Sequence, residues 1–136
     1  MSKESARVWA RVSKSAELLA WGGRAVRQEL KMEPGWPDVY LYHGAWVRHV
    51  ELKDIKTVHL ARGPSWFQLE PEQRIWLRRL DTEGPGALLL FRHQATFGLV
   101  RGRHFTEPRD AAYISQHAEY LGKDLEELMR VLLYQN

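Results

Sequence analysis

Three charged residues stand where two neighbouring strands would bring them together. Asp38 directly follows Pro37 and opens one apolar run, and Glu51 and Lys53 lie near the end of the next run. Residues two apart on a strand project from the same face, so Glu51 and Lys53 would share a face while Leu52 turns into the core. Asp38, at the start of the adjoining strand, can reach the same side.

Two carboxylates and a lysine suit a hard divalent cation, because Mg²⁺ is commonly held by one or two carboxylates together with waters and phosphate oxygens. We expect Asp38 and Glu51 to be metal ligands, with the main-chain carbonyl of Leu52 adding an oxygen and Mn²⁺ able to substitute. Such an ion activates water and neutralises charge on a phosphate. Lys53 would position the attacking water or stabilise the transition state. The alternative is a salt-bridge cluster on an edge strand.

The hydropathy pattern predicts the elements that would hold these residues. A helix is expected over residues 3–20 and strands over 24–31, 39–42, 47–53, 87–92 and 97–101, the second and third joined by a turn at His43-Gly44. A further helix opens at Glu70-Pro71, where a proline and acids are favoured, and ends before Gly84-Pro85-Gly86. The order α, β, β, β, α, β, β, α predicts one α/β domain, residues 1–136, around a mixed sheet.

The C-terminal segment, about residues 110–134, predicts one long helix. Its apolar residues recur at spacings of 4, 3, 4, 3 and 4: Ile114, Ala118, Leu121, Leu125, Leu128 and Leu132. A heptad stripe of this kind packs either on its own domain or on a partner helix. Because this segment is also acidic, we expect it to lie away from an anionic partner and to contribute to a homodimer.

The spacing Pro37-Asp38, Glu51 and Lys53 resembles the motif of the PD-(D/E)XK nuclease superfamily. Residues 69–77, LEPEQRIWL, are similar to the glutamine helix of its VRR-NUC branch, which is common in phages, and Glu4 resembles the helix acid of Holliday-junction resolvases. The similarity covers about residues 3–101. It implies a restriction-endonuclease-like fold, a mixed β-sheet core flanked by helices, here with an additional C-terminal helix.

The resemblance also implies an activity. It identifies the chain as a Mg²⁺- or Mn²⁺-dependent DNA endonuclease that is structure-specific on branched DNA or nicks duplex DNA, with Gln73 and Glu4 added to the catalytic residues. Gln73 has the alternative of a core amide, and Glu4 that of an ordinary capping acid. A non-catalytic DNA-binding or regulatory module that keeps the fold is the rival function, and an RNA-processing enzyme is a third.

Candidate DNA contacts follow from the distribution of charge. Residues 1–31 carry seven Lys or Arg against three acids, whereas residues 110–136 carry two against five. An anionic partner would therefore meet the N-terminal and central parts. The aromatic and basic insertion from Asp54 to Gln68 contributes the candidates Lys56, Arg62 and Trp66. Trp36 lies just before Asp38, and Arg27 comes from the N-terminal part. The tryptophans could stack on bases, although tryptophans are more often found in cores.

Composition limits the other classes of protein to which the chain could belong. The chain of 136 residues has no cysteine, so disulfides and thiolate metal sites are excluded. No apolar run approaches the roughly 20 residues that a membrane span needs, and the N-terminus has no apolar signal core. We expect a cytoplasmic protein, located in the host cytoplasm if it is encoded by a phage.

Overall fold

A computed structural model describes residues 3–28, 33–55 and 69–134. The helices are α1 (Lys3–Val12), α2 (Ala16–Trp21), α3 (Pro71–Thr82), α4 (Ala111–His117) and α5 (Leu125–Leu133). The strands are β1 (Arg24–Arg27), β2 (Val39–His43), β3 (Trp46–Ile55), β4 (Ala87–His93), β5 (Thr96–Arg101) and β6 (Tyr120–Gly122). A 3-10 helix, Gly102–His104, follows β5. Within these ranges, no helix has the length and apolar character of a membrane span.

The described strands form one mixed sheet in the order β1-β2-β3-β4-β5-β6. β3 and β4 run parallel, and the other neighbouring pairs are antiparallel. A parallel pair needs a crossover connection, and α3 belongs to the segment that makes it. The central strand β3, which carries Glu51 and Lys53, is thereby held by β2 on one side and by β4 on the other.

Helices cover both faces of the sheet, and each covered face has its own core. On the side that we call the α1 face, α1, α2 and α5 bury residues that include Val8, Val12, Leu18, Leu128 and Leu132 against Val39, Leu41, Val50, Leu52, Leu88 and Leu90. On the opposite side, the α3 face, Leu77 of α3 and Ile114 of α4 pack with Ile55, Leu89, Phe91 and Val100. Because both faces are covered, the predicted α/β class is confirmed.

The two elements nearest the acidic motif agree with the sequence. β2 and β3 form the predicted hairpin, and Gly44 in its turn has a φ of 59°, a conformation that glycine adopts without steric cost. α3 begins at Pro71, as the proline and the acids around it predict. The predicted strand over 24–31 is present as β1, and residues 29–32 lie outside the described ranges.

The predicted N-terminal helix over residues 3–20 is wrong as a single element, because the chain breaks between α1 and α2. Ser15 is buried at this break, and its Oγ accepts a hydrogen bond from the Leu18 amide at the start of α2. Serine side chains compete for backbone groups in this way and favour caps over helix interiors. The second helix ends at Gly22, whose φ of 85° is left-handed.

The predicted C-terminal helix is also wrong as one continuous element. Ala118 leaves the helical conformation, and Tyr120–Gly122 pairs with β5 as a sixth strand that the pattern did not indicate. Asp124 then starts α5 by accepting hydrogen bonds from the amides of Glu126 and Glu127. The second helix therefore has its own acidic cap, which a continuous helix would not need.

The heptad stripe consequently does not form a seam for a partner helix. Ile114 is buried on the α3 face, whereas Leu128 and Leu132 are buried on the α1 face. Leu121 lies on β6 and is 44% exposed. The spacing arose from residues of three separate elements, so the predicted dimer surface is withdrawn.

Candidate active site

Asp38 is positioned by a turn that rests on α3. Gly35 in this turn has a φ of 84°, and a Cβ added to it would lie 2.7 Å from the Gln73 amide nitrogen. The turn therefore approaches the first turn of α3 more closely than any residue with a side chain would allow. Asp38 comes three residues after Gly35 and is only 3% exposed, and its carbonyl accepts a hydrogen bond of 2.8 Å from the amide of Gln28.

Glu51 lies across from Asp38 on the adjoining strand. Val39 pairs with Val50 in antiparallel register, so the next positions outward are Asp38 and Glu51. Glu51 is 1% exposed. It also pairs with Leu89, a core residue of the α3 face. Two buried carboxylates are thus neighbours at one edge of the β2–β3 hairpin.

Alternation along β3 completes the motif. Lys53 is half-buried and shares the α3 face with Glu51, whereas Leu52 between them is buried in the core of the α1 face. The Leu52 amide donates a hydrogen bond of 3.2 Å to Oδ2 of Asp38. The Leu52 carbonyl accepts one of 2.9 Å from Oγ of Ser5 on α1. β2 pairs with β3 only as far as Val50, and side chains bind the backbone of Leu52 beyond that point.

The donor set at this site fits a divalent cation. Taking carboxylates out of water is costly unless positive charge or hydrogen bonds compensate, and here two acids lie together with one lysine on their face. Oxygen from two carboxylates and one carbonyl is a set that Mg²⁺ or Mn²⁺ accepts, with waters or phosphate oxygens completing the coordination. Over the described ranges, no group of three or more His, Asp or Glu is arranged to hold a metal. The fit therefore depends on the Leu52 carbonyl as the third oxygen.

Gln73 lies near this site but already has one partner. Its Oε1 accepts a hydrogen bond of 2.9 Å from the Glu70 amide, which closes the start of α3. The amide NH₂ group of the side chain and the second lone pair of Oε1 then remain for a substrate. The predicted catalytic role of Gln73 stays a prediction, and its oxygen has a capping role that the sequence reading did not include.

Trp36 lies inside an aromatic cluster. Its ring makes edge-on contacts with His49, at 5.4 Å between centroids, and with Trp76 on α3, at 4.8 Å. Its Nε1 is buried and has no hydrogen-bond partner within the described structure. Burial also lowers the pKa of His49 below its usual range, which keeps that ring neutral at pH 7. These contacts give Trp36 a packing role that joins α3 to the sheet, and its predicted stacking on DNA stays a prediction.

The other predicted site residues lie elsewhere or beyond the described structure. Arg27 is exposed at the end of β1 and pairs with Val39, which places it on the α1 face, opposite to Lys53. Glu4 lies in the first turn of α1, and its side chain is not described. The predicted DNA contacts Lys56, Arg62 and Trp66 fall outside the described residues.

The sequence did not predict two buried polar contacts. One joins Ser5, which is 7% exposed, to the carbonyl of Leu52, 47 residues away in the sequence. The other is Asp81 near the end of α3, whose carboxylate accepts hydrogen bonds from Arg101 at 2.8 Å and from the Arg103 side chain at 2.9 Å. A serine in an amphipathic helix and an acid within a basic stretch carry no sequence signal of such partners.

Comparison with known proteins agrees with this architecture. No family model and no curated protein sequence matches the chain. Among solved structures, it is similar to Hjc of Archaeoglobus fulgidus, a Holliday junction resolvase from an archaeal hyperthermophile, with a TM-score of 0.52 and 16% identity over 92% of this chain and 97% of that chain. The chain has a restriction-endonuclease-like fold. At this level of identity the likeness concerns the fold, and it confirms the predicted fold class.

Proposed function

We propose that this protein is a divalent-metal-dependent nuclease that hydrolyses phosphodiester bonds in DNA. The observation that carries the proposal is the pair of buried carboxylates, Asp38 directly before β2 and Glu51 on β3, with Lys53 on the same face. Burying such a pair is costly unless hydrogen bonds or positive charge compensate it, and a bound cation would supply positive charge. The likeness of the fold to that of a resolvase supports the same reading.

The residues would divide the chemistry between them. Asp38, Glu51 and the Leu52 carbonyl would hold the cation, preferably Mg²⁺ with Mn²⁺ as substitute. When bound, such an ion supplies Lewis-acid stabilisation of phosphate charge and lowers the pKa of water. The Lys53 ammonium would orient the attacking water or offset the charge that develops on the scissile phosphate. Burial of the carboxylates keeps them fixed before the substrate arrives.

Branched DNA is the substrate that we propose first, because the similar solved structure is described as a Holliday junction resolvase. Nicking of duplex DNA is the second possibility from the same site. From the sequence resemblance we also propose that the chain belongs to the VRR-NUC branch and that it is of phage origin. A homodimer would allow two strands to be cut, and it needs a surface other than the heptad stripe.

The test is a cleavage assay with four-way, flap, single-stranded and duplex DNA of matched sequence, with Mg²⁺ or Mn²⁺. We expect cleavage of the four-way junction, loss of cleavage with EDTA, and loss in Asp38→Asn. The matched control is Asp54→Asn, which removes a carboxylate one residue beyond Lys53 on the opposite face of β3. Binding of DNA by the wild type without cleavage in either metal would favour the non-catalytic module. Cleavage that survives EDTA would exclude the metal mechanism.

A further inference from the structure

The backbone between Glu51 and Lys53 is held from outside the strand. The peptide group that joins Glu51 to Leu52 donates its N–H to Asp38, and the peptide group that joins Leu52 to Lys53 presents its carbonyl to Ser5. Both contacts lie beyond the point where β2 stops pairing with β3. Two side chains from other elements thus fix two consecutive peptide groups, which are flanked by the acid and the lysine of the candidate site.

Ser5 reaches this carbonyl from a helix that is rigidly placed. α1 buries Val8 and Val12, at 0% and 3% exposure, in the core of the α1 face. Ser5 itself is the third residue of α1 and is 7% exposed. Its bond of 2.9 Å to the Leu52 carbonyl joins α1 to β3.

We propose that Ser5 is a positioning residue of the metal site: its hydroxyl fixes the direction of the Leu52 carbonyl so that this oxygen can serve as the third protein ligand. A carbonyl oxygen has two lone pairs, so one bond to Ser5 leaves the other lone pair for a cation. Mg²⁺ demands near-ideal octahedral geometry, whereas Ca²⁺ tolerates irregular sites. The inference rests on the proposed function, since it assumes that Asp38 and Glu51 bind a metal.

Metal affinity tests this role without any measurement of cleavage. Mn²⁺ alone is titrated into the full chain, and the free ion is followed by electron paramagnetic resonance. We expect Ser5→Ala to weaken Mn²⁺ binding by about 10-fold to 100-fold, the usual effect of losing a residue that orients a metal ligand. Ser5→Thr keeps the hydroxyl and should bind Mn²⁺ much like the wild type. Competition by Mg²⁺ should weaken more in Ser5→Ala than competition by Ca²⁺.

Ser15→Ala is the matched control. Ser15 is also a buried serine, 2% exposed, whose hydroxyl contacts α2 and Glu126 on α5, away from β3. Its loss should lower the melting temperature and leave Mn²⁺ affinity unchanged. If Ser5→Ala does not fold, Ser5→Cys takes its place, because it keeps the size of the side chain but is a weak donor.

The outcomes separate the two proposals. Weaker Mn²⁺ binding in Ser5→Ala or Ser5→Cys, restored in Ser5→Thr, supports the positioning role. Wild-type affinity in the variant without a hydroxyl overturns it and leaves the nuclease proposal intact. Weakening in Ser15→Ala equal to that in Ser5→Ala also overturns it, because the effect would then come from general stability. If the wild type binds Mn²⁺ no better than Asp38→Asn does, the metal site itself is overturned.

Discussion

The two ends of α3 hold buried carboxylates in two different ways. Near the C-terminal end, the Asp81 side chain has 0% exposure and contacts the guanidinium groups of both Arg101 and Arg103. Near the N-terminal end, α3 supports the turn that leads into Asp38, which lies beside Glu51. One acid therefore meets two cations at the first location, whereas two acids are neighbours at the second.

On this difference we assign Asp81 to the stability of the fold and propose Asp38 and Glu51 for chemistry. Burial alone would raise the pKa of Asp81, but the hydrogen bonds from Arg101 and Arg103 lower it below its usual range. Its charge is thus compensated inside the protein. At Asp38 and Glu51, by contrast, two acids are neighbours, and Lys53 lies on the same face. A divalent cation between them would offset their mutual repulsion, as the proposed function requires.

Loss of an acid from the pair should have the largest effect. Glu51→Gln should reduce DNA cleavage about 1,000-fold or more, because the metal supplies several kcal/mol of transition-state stabilisation and each 1.36 kcal/mol is tenfold in rate. Its free energy of unfolding should be unchanged or higher, since one of two adjacent buried charges is gone. Single-turnover cleavage and urea denaturation measure the two quantities. A large loss of stability would instead make Glu51 a structural acid like Asp81.

Replacement of the lysine should affect chemistry less strongly. Lys53→Met keeps the aliphatic stem and should lower the single-turnover rate about 100-fold, the usual cost of losing one preorganised electrostatic contact. DNA affinity should change little. Arg92→Met is the matched control, because Arg92 follows Phe91, the partner of Lys53 on β4, and points to the opposite face. An effect of Lys53→Met on affinity alone would make the lysine a phosphate contact.

Removal of the compensated acid should affect stability and spare chemistry. Asp81→Asn leaves two arginines beside a neutral amide, and breaking a buried ion pair of this kind costs about 3 kcal/mol. Cleavage per folded molecule should equal that of the wild type. Urea denaturation measures the loss of stability, and a cleavage assay corrected for the folded fraction measures the activity. If Asp81→Asn is as stable as the wild type, Asp81 does not stabilise the fold and the two ends of α3 do not differ in this way.

The smallest effect is the pH dependence of stability. The folded-state pKa of Asp81 is below the ordinary value of 3.8, so this residue adds stability above that pH and loses its contribution as the pH falls through the folded-state pKa. On acidification below about pH 5, the wild type should lose stability more steeply than Asp81→Asn. Denaturation midpoints over a pH series give the two slopes, and parallel slopes would contradict the assignment.

Local sequence signals predicted the elements of the site well. Alternation over residues 47–53 predicted that Glu51 and Lys53 share a face, and Pro71 predicted the start of α3. Both signals depend on neighbouring residues only, through the period of a strand and the fixed φ of proline. The position of Asp38 next to Glu51 followed from a short turn, which fixes the register of a hairpin.

Contacts between distant segments could not be predicted in the same way. Ser5 and Leu52, or Asp81 and Arg101, meet only because the sheet and its helices bring them together. The heptad spacing of the C-terminal segment was misleading, since the pairing of Tyr120–Gly122 with β5 outweighed helical periodicity. Tertiary pairing at a sheet edge satisfies backbone groups that a local pattern does not register.

Anomalous diffraction from crystals grown with Mn²⁺ would show directly whether Asp38 and Glu51 bind a divalent cation. We expect a manganese peak in contact with both carboxylates and with the Leu52 carbonyl, and no peak there in crystals of Glu51→Gln. Manganese bound only at other positions, or a peak that persists unchanged in Glu51→Gln, would contradict it.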